Sequence, residues 1–305
     1  MTFFYNNEQL DKLGNEILEA TWAEFPQLAC HQIALSWIVY DPPVPVNTGG
    51  ALSAEEFWKH QVRGFSYRGM ERIDPAGIAS LFYLVAIEEW LENNMIPHSG
   101  ELDRAIKEMM VNSSNDALGF VVDMLSGTTS GHELTSGPLA TWKFQRNIIN
   151  RYFQSLGWPE LESININQKI WSDSPYGRER VFFGELGENR NLLTTNATLR
   201  LLHSIIGGVA VSPTRSQQMM ALLKRTLEPT QSSSEGFLGA SLPQEAQLWS
   251  KAGWNTQVRH DAAYIELPSA SPYLLVVFIE GETNSTNQDI LPFVSQQVVA
   301  AMIKA

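Results

Sequence analysis

The strongest constraint on the fold of this 305-residue chain is the order in which its hydrophobic periodicities occur. β-rich runs stand near both ends, and a long helical block separates them. An amphipathic helix is expected from Asn7 to Phe25, with apolar side chains at Leu10, Leu13, Ile17, Leu18 and Trp22. Ile33 to Tyr40 (IALSWIVY) reads as a strand stopped by Asp41-Pro42-Pro43, and Val62 to Tyr67 as a second. Helical patterns follow at Ile78–Asn93, Glu101–Ser113, Ala117–Leu125, Trp142–Leu156, Asn196–Ile206 and Thr214–Leu227; the last opens after Ser212-Pro213, where proline suits a first turn. Strands return at Gln247–Trp254, Ala262–Leu267 and Leu274–Ile279, and a helix from Gln288 to Lys304 closes the chain. This order predicts a five-stranded antiparallel sheet with the terminal helices on one face and an inserted all-helical domain. The boundaries expected are 1–70 with 240–305 for the sheet and 71–239 for the insertion. Between the helices, the polar and aromatic stretch from Asn165 to Asn191 has little periodicity, as functional loops often do.

Composition narrows the function. A net charge of -12 and the lack of any Lys/Arg run argue against nucleic acid, which demands a basic face. Apolar residues make up 44% of the chain, enough for a sizeable core. No stretch approaches the length of a membrane span, and the start, Met1 to Glu8, lacks the charged and apolar regions of a secretory leader. A cytoplasmic protein with a small-molecule or peptide partner is the expectation. Cys30 is the single cysteine, so no intrachain disulfide forms; packing in the core is expected for it. No metal-ligand spacing occurs: Gly131-His132-Glu133 lacks the second histidine of a zinc-protease helix, and His203 sits in a helical run as a packed residue. No cofactor motif is present.

Three segments carry a chemical signature. Ala79-Ser80-Leu81-Phe82-Tyr83 opens a helix, Ser113-Ser114-Asn115 joins two helices, and Lys251-Ala252-Gly253-Trp254 lies on the first returning strand. In order and context they resemble the S-x-x-K, S-D-N and K-T-G motifs of class A β-lactamases and penicillin-binding proteins. The hairpin from Lys251 through Val258-Arg259-His260-Asp261-Ala262 to Phe278-Ile279-Glu280-Gly281 extends the likeness. So does Leu193-Thr194-Thr195 before a helix, and together these cover nearly the whole chain. The resemblance implies a serine nucleophile at Ser80, an oxyanion held by the N–H groups of Ser80 and Trp254, and proton transfer by Ser113. It also implies that Asn115 orients a substrate amide, that Gly253 and Trp254 border the substrate, and that Lys251 and Arg259 hold a carboxylate. Each residue has a plainer reading too: Ser80 as a helix-start residue, Ser113 and Asn115 as an inter-helix cap, Arg259 with Asp261 as an ion pair.

The pattern also breaks. Tyr83 stands where the motif lysine belongs, and burial raises a tyrosine's pKa where it would lower a lysine's. To act as a base Tyr83 would have to fall from about 10 to about 7, at about 4 kcal/mol. Ala252 replaces the K-T-G threonine, Ser114 replaces the S-D-N aspartate, and only 33 residues separate Ser80 from Ser113. The E-x-x-L-N signature of the deacylating glutamate is missing. Among Glu179, Glu185 and Glu188, Glu179 has the best spacing to Thr194-Thr195, against the alternative of a solvated loop carboxylate. Three functions remain open: a serine hydrolase acylated at Ser80 by an amide or ester such as a β-lactam, a binding module that has kept the pocket and lost the chemistry, or another amidase such as a glutaminase.

Overall fold

The computed structural model describes residues 3–42, 44–50, 52–227 and 235–304. Met1, Thr2 and Pro43, which entered the readings of the N-terminus and of the first strand's end, lie outside the described residues. The strands are β1 (Phe4–Asn6), β2 (Ile33–Val39), β3 (Val62–Tyr67), β4 (Lys224–Arg225), β5 (Gln247–Trp254), β6 (Val258–Glu266) and β7 (Tyr273–Glu280). They form one sheet in the order β1-β3-β2-β7-β6-β5-β4. The expected five antiparallel strands form its centre, but the sheet has seven. β1 adds parallel to β3 at one edge, and β4 adds antiparallel to β5 at the other. Those two are three and two residues long, too short to show an alternation.

Side chains alternate across the sheet and build a core on each face. Helix α1 (Glu8–Glu24) and the final helix, α12 (Ile290–Lys304), cover one face: Leu10, Ile17, Leu18, Val294 and Val298 meet Leu35, Trp37, Ala263, Leu275 and Val277. The other face carries Ala34, Ile38, Ala262, Tyr264, Val276 and Phe278 against the helical block. After the one-turn α2 (Ala54–Phe57), that block comprises α3 (Ala79–Glu92), α4 (Gly100–Val111), α5 (Asn115–Ser126), α6 (Ser136–Arg146), α7 (Ile148–Ser155), α8 (Gly177–Phe183), α9 (Thr195–Ile206) and α10 (Pro213–Leu223). The short α11 (Glu282–Thr286) follows β7. The span read as one helix from Trp142 to Leu156 is two, divided at Asn147, and the stretch 165–191 contains α8.

Helix α3 is the axis of the helical block. Twelve of its fourteen residues are buried, so it is apolar all round rather than striped, as a helix enclosed by others must be. It follows a 3₁₀ turn, Ala76–Ile78, and β5 packs on that turn. A Cβ built on Gly253 would come within 2.7 Å of the Pro75 carbonyl and 2.8 Å of the Gly77 nitrogen. Glycine alone permits this seam between sheet and helices.

Cys30, expected in the core, is exposed on a 3₁₀ turn. His203 is packed as expected: it is buried, its Nδ1 pairs with the Tyr40 hydroxyl at 2.8 Å, and burial holds its pKa down to about 3. Among the described residues, no helix is long and apolar enough to cross a membrane. No group of His, Cys, Asp and Glu among them is arranged to hold a metal ion.

Candidate active site

A cleft of about 1090 Å³ opens where the 3₁₀ turn, the α4–α5 junction, the 165–191 stretch and the end of β5 converge. Gly77, Ser113, Asn115, Gly253, Trp254 and Trp171 line it. Of the sequence-derived candidates, Ser113, Asn115, Gly253 and Trp254 thus meet in one place, with Lys251 directly behind them. Lys251 projects from β5 toward the helical block, because its neighbour Trp249 and its cross-strand partner Ala262 both belong to the core on that side. Its Nζ donates to the Ser113 hydroxyl at 2.8 Å and to the Ala252 carbonyl at 2.8 Å. Burial, with help from Arg225, brings the Lys251 pKa down to about 7, and Asp261 works in the opposite sense. The helix start next to Ser113 is capped by Ser114, whose side chain accepts from the Ala117 N–H at 3.2 Å. Asn115 is exposed in the cleft, and the Trp254 ring, 54% exposed, is tethered by Nε1 to the Ser285 carbonyl.

The structure does not bring Ser80 there. Ser80 is the second residue of α3, only 1% exposed, and its hydroxyl donates to the Gly77 carbonyl at 2.6 Å. The residue of this segment that faces Lys251 is Gly77: a Cβ built on it would lie 3.3 Å from Nζ and 2.9 Å from the Ala252 carbonyl oxygen. The reason is helical phase. A chain entering α3 through a 3₁₀ turn shows the cleft the turn residue, and the residue three further on faces the same side at greater depth. On this phase the pair three residues apart nearest the cleft is Gly77 and Ser80, one turn earlier than Ser80 and Tyr83. The available signal was the apolar, all-round character of Ile78–Ile87, which marks Ser80 as interior.

Three further candidates are placed elsewhere. Tyr83 is fully buried, and its hydroxyl donates to the Gln168 carbonyl at 2.6 Å. Burial raises its pKa well above the ordinary value, which works against the base role the motif position would give it. Arg259 pairs with Trp254 in the β-ladder and so points to the α1/α12 side of the sheet, opposite Lys251. Its Nε donates to the Ser285 carbonyl at 2.7 Å. Its guanidinium lies over the rings of Phe237 and Trp254, so it stands behind two residues that line the cleft without lining it itself. Nor does it pair with Asp261, which accepts from the Leu238 and Ala262 N–H groups. Glu179 is completely buried and is no solvated loop carboxylate: Oε1 accepts from Arg146 at 2.7 Å and from Ser130 at 2.8 Å, away from the cleft.

Sequence reasoning passed over Gly77, and it also passed over His260. Buried and stacked on Phe278, His260 donates from Nε2 to the Asp74 carbonyl at 2.8 Å and accepts at Nδ1 from the Ile279 N–H at 3.1 Å. These bonds need the neutral ring, and burial pushes its pKa down to about 4. His260 thereby ties the sheet to the segment leading into Gly77.

A mixed sheet between terminal helices and a helical block, with a lysine–serine pair behind a cleft at their junction, is the architecture of serine β-lactamases and penicillin-binding proteins. Solved structures of similar fold include a β-lactamase from Sphaerobacter thermophilus (TM-score 0.65, 13% identity, covering 95% of this chain and 98% of that one). Others are PBP-A (0.64, 16%, 99% and 98%) and a class A β-lactamase from Bacteroides cellulosilyticus (0.62, 13%, 96% and 99%). No curated protein matches the sequence. Residues 99–302 match the model of the β-lactamase enzyme family, and the chain belongs to that family as a divergent member. Membership supports a serine-hydrolase type of function.

Proposed function

We propose that this chain is a ligand-binding member of the family: its cleft holds a small amide, ester or peptide, and Ser80 forms no acyl-enzyme. The observation that carries the reading is Gly77 at the cleft floor beside Lys251, with Ser80 buried behind it and hydrogen-bonded to the Gly77 carbonyl. A nucleophile has to reach its electrophile, and a hydroxyl sealed inside a helix does not. The carboxylate anchor is weakened as well, since Ala252 has no hydroxyl and the Arg259 guanidinium is engaged by the Ser285 carbonyl behind Trp254. What remains is recognition by the Asn115 carboxamide, the Ser113 hydroxyl and the apolar surface of Trp171 and Trp254. The Lys251–Ser113 pair favours the hydrolase reading instead, and one experiment separates the two.

Penicillin G, which forms an acyl-enzyme with a PBP-A variant of similar fold, is the first probe. Incubation followed by intact-mass analysis and peptide mapping should show no acyl group on Ser80. Quenching of tryptophan fluorescence by penicillin G or by short peptides should be unchanged in Ser80→Ala. An acyl group on Ser80 that the Ser80→Ala variant loses would overturn the reading. Absence of quenching by either probe would overturn the ligand class.

A further inference from the structure

We infer that Ser113 and Lys251 form a serine–lysine dyad able to accept an acyl group from an activated ester at the Ser113 hydroxyl. The inference rests on the reading that Ser80 is not the nucleophile, and it moves the reactive hydroxyl to the other wall of the cleft.

Three independent features meet at Ser113. It is exposed and lines the cleft, so an ester carbonyl can reach its hydroxyl. Its Oγ lies 2.8 Å from Lys251 Nζ, within range for direct proton transfer. Its backbone is left-handed, with φ 53°, directly after the C-cap of α4. Glycine is the residue that helix ends use in this conformation, and a side chain there is strained by about 1 kcal/mol or more. The position nevertheless carries a hydroxyl, whose partner is the lysine. Ala76, next to Gly77 on the opposite wall, is likewise left-handed at φ 44°. Strained backbone therefore stands on both sides of the floor.

Lys251 has the character a base requires. It is 2% exposed, enclosed by the seam between β5 and the 3₁₀ turn, and charged only at a desolvation cost. The charged groups acting on it are Arg225 from β4, which favours the neutral amine, and Asp261 from β6, which opposes it. From the turn, the carboxyl of Asp74 accepts the Ala76 N–H, and burial raises its pKa. With the amine neutral, one N–H is given to the Ala252 carbonyl and the lone pair accepts the Ser113 proton. Gly77 leaves the space in front of this pair open, where a side chain would touch both Nζ and the Ala252 oxygen.

With 4-nitrophenyl acetate as the acyl donor the step balances as follows. Ser113 Oγ attacks the carbonyl carbon while its proton passes to Lys251 Nζ. The new C–O bond forms, the bond to the aryl oxygen breaks, and 4-nitrophenolate leaves with the electron pair. The products are acetyl-Ser113 and a protonated Lys251; no oxidant or metal takes part.

The test uses the full chain with 4-nitrophenyl acetate, following nitrophenolate release and mapping the acetyl group. The expected result is acetylation at Ser113, with a rate that rises through a half-point near pH 7. It should persist in Ser80→Ala and fall by about 100-fold or more in Ser113→Ala and Lys251→Arg, the latter keeping the charge but not the base. The pH profile is read on the unsubstituted protein, so the outcome does not depend on the variants folding. Acetylation of Ser113 that is equal in Lys251→Arg, or none at Ser113, overturns the dyad and leaves the binding reading standing. Acetylation of Ser80 overturns both.

Discussion

Returning a hydroxyl to position 77 tests the reading of the cleft most directly. In Gly77→Ser the new Cβ meets the Ala252 oxygen at 2.9 Å, and the Gly253 Cα and Lys251 Nζ at 3.3 Å, where ordinary contact begins at 3.4 Å. The close partner is backbone, so β5 must yield by about half an ångström, an overpacking strain of about 1–3 kcal/mol. Position 77 does not have a left-handed backbone, so replacing glycine restricts the unfolded chain and returns about 0.4–1 kcal/mol. The net expectation is a loss of about 1–2 kcal/mol, seen as a fall in Tm of about 2–6 °C. Coupled with Ser80→Lys, the substitution rebuilds the S-x-x-K frame in the phase that faces Lys251 and Ser113. Penicillin G should then label position 77 in the double variant, while Ser80→Lys alone should gain no label. Thermal melts establish that the double variant is folded, and peptide mapping locates the acyl group. A folded double variant that stays unlabelled, beside an unsubstituted protein labelled at Ser80, would refute the reasoning about helical phase.

Other expectations follow from the same contacts. Lys251 titrates near 7 in the fold instead of at 10.5, so the stability tied to its neutral form is complete above pH 10.5 and is lost as pH falls toward 7. Lys251→Met should therefore be more stable than the parent at pH 7, by about 1–3 kcal/mol in urea melts, with the difference shrinking as pH rises to 10; a difference constant with pH contradicts the buried-amine account. Arg146→Ala strips Glu179 of its guanidinium partner at zero exposure and should cost about 3–5 kcal/mol. A loss below 1 kcal/mol in the same melts would contradict the account of Arg146 and Glu179 as a buried pair. His260 is held neutral, so the stability it contributes is present above about pH 6.5 and is lost as pH drops through about 4. His260→Phe should flatten the stability profile across that interval, and an unchanged slope would remove His260 from the account.

The sequence made the central sheet legible because β2, β6 and β7 are buried on both faces and β5 on most of its length, which leaves long apolar runs between turn residues. The Lys251–Ser113 pair was legible because its motifs tolerate Ala252 and Ser114. Ser80 misled for a physical reason: the template asks for a serine near a helix start, and the wrong frame offers one. Only the depth of α3 shows that this serine is interior. The setting of Arg259, behind Trp254 and not in the cleft wall, follows from strand parity. Its register against Trp254 depends on a turn at Asn255–Gln257, and with β6 expected to begin only at Ala262 its facing direction was undetermined. Glu179 matched on spacing, while its partner Arg146 is 33 residues away in sequence and invisible to local pattern.

The seam of main chain beneath Gly253 also bears on how such a protein can change over time. Because carbonyls and amides fix the position of that floor, the hydroxyl and amine of a working enzyme can vanish without the scaffold sagging, and their disappearance releases crowding against Ala252. A lineage that drops the reaction thus pays no structural penalty for keeping the groove.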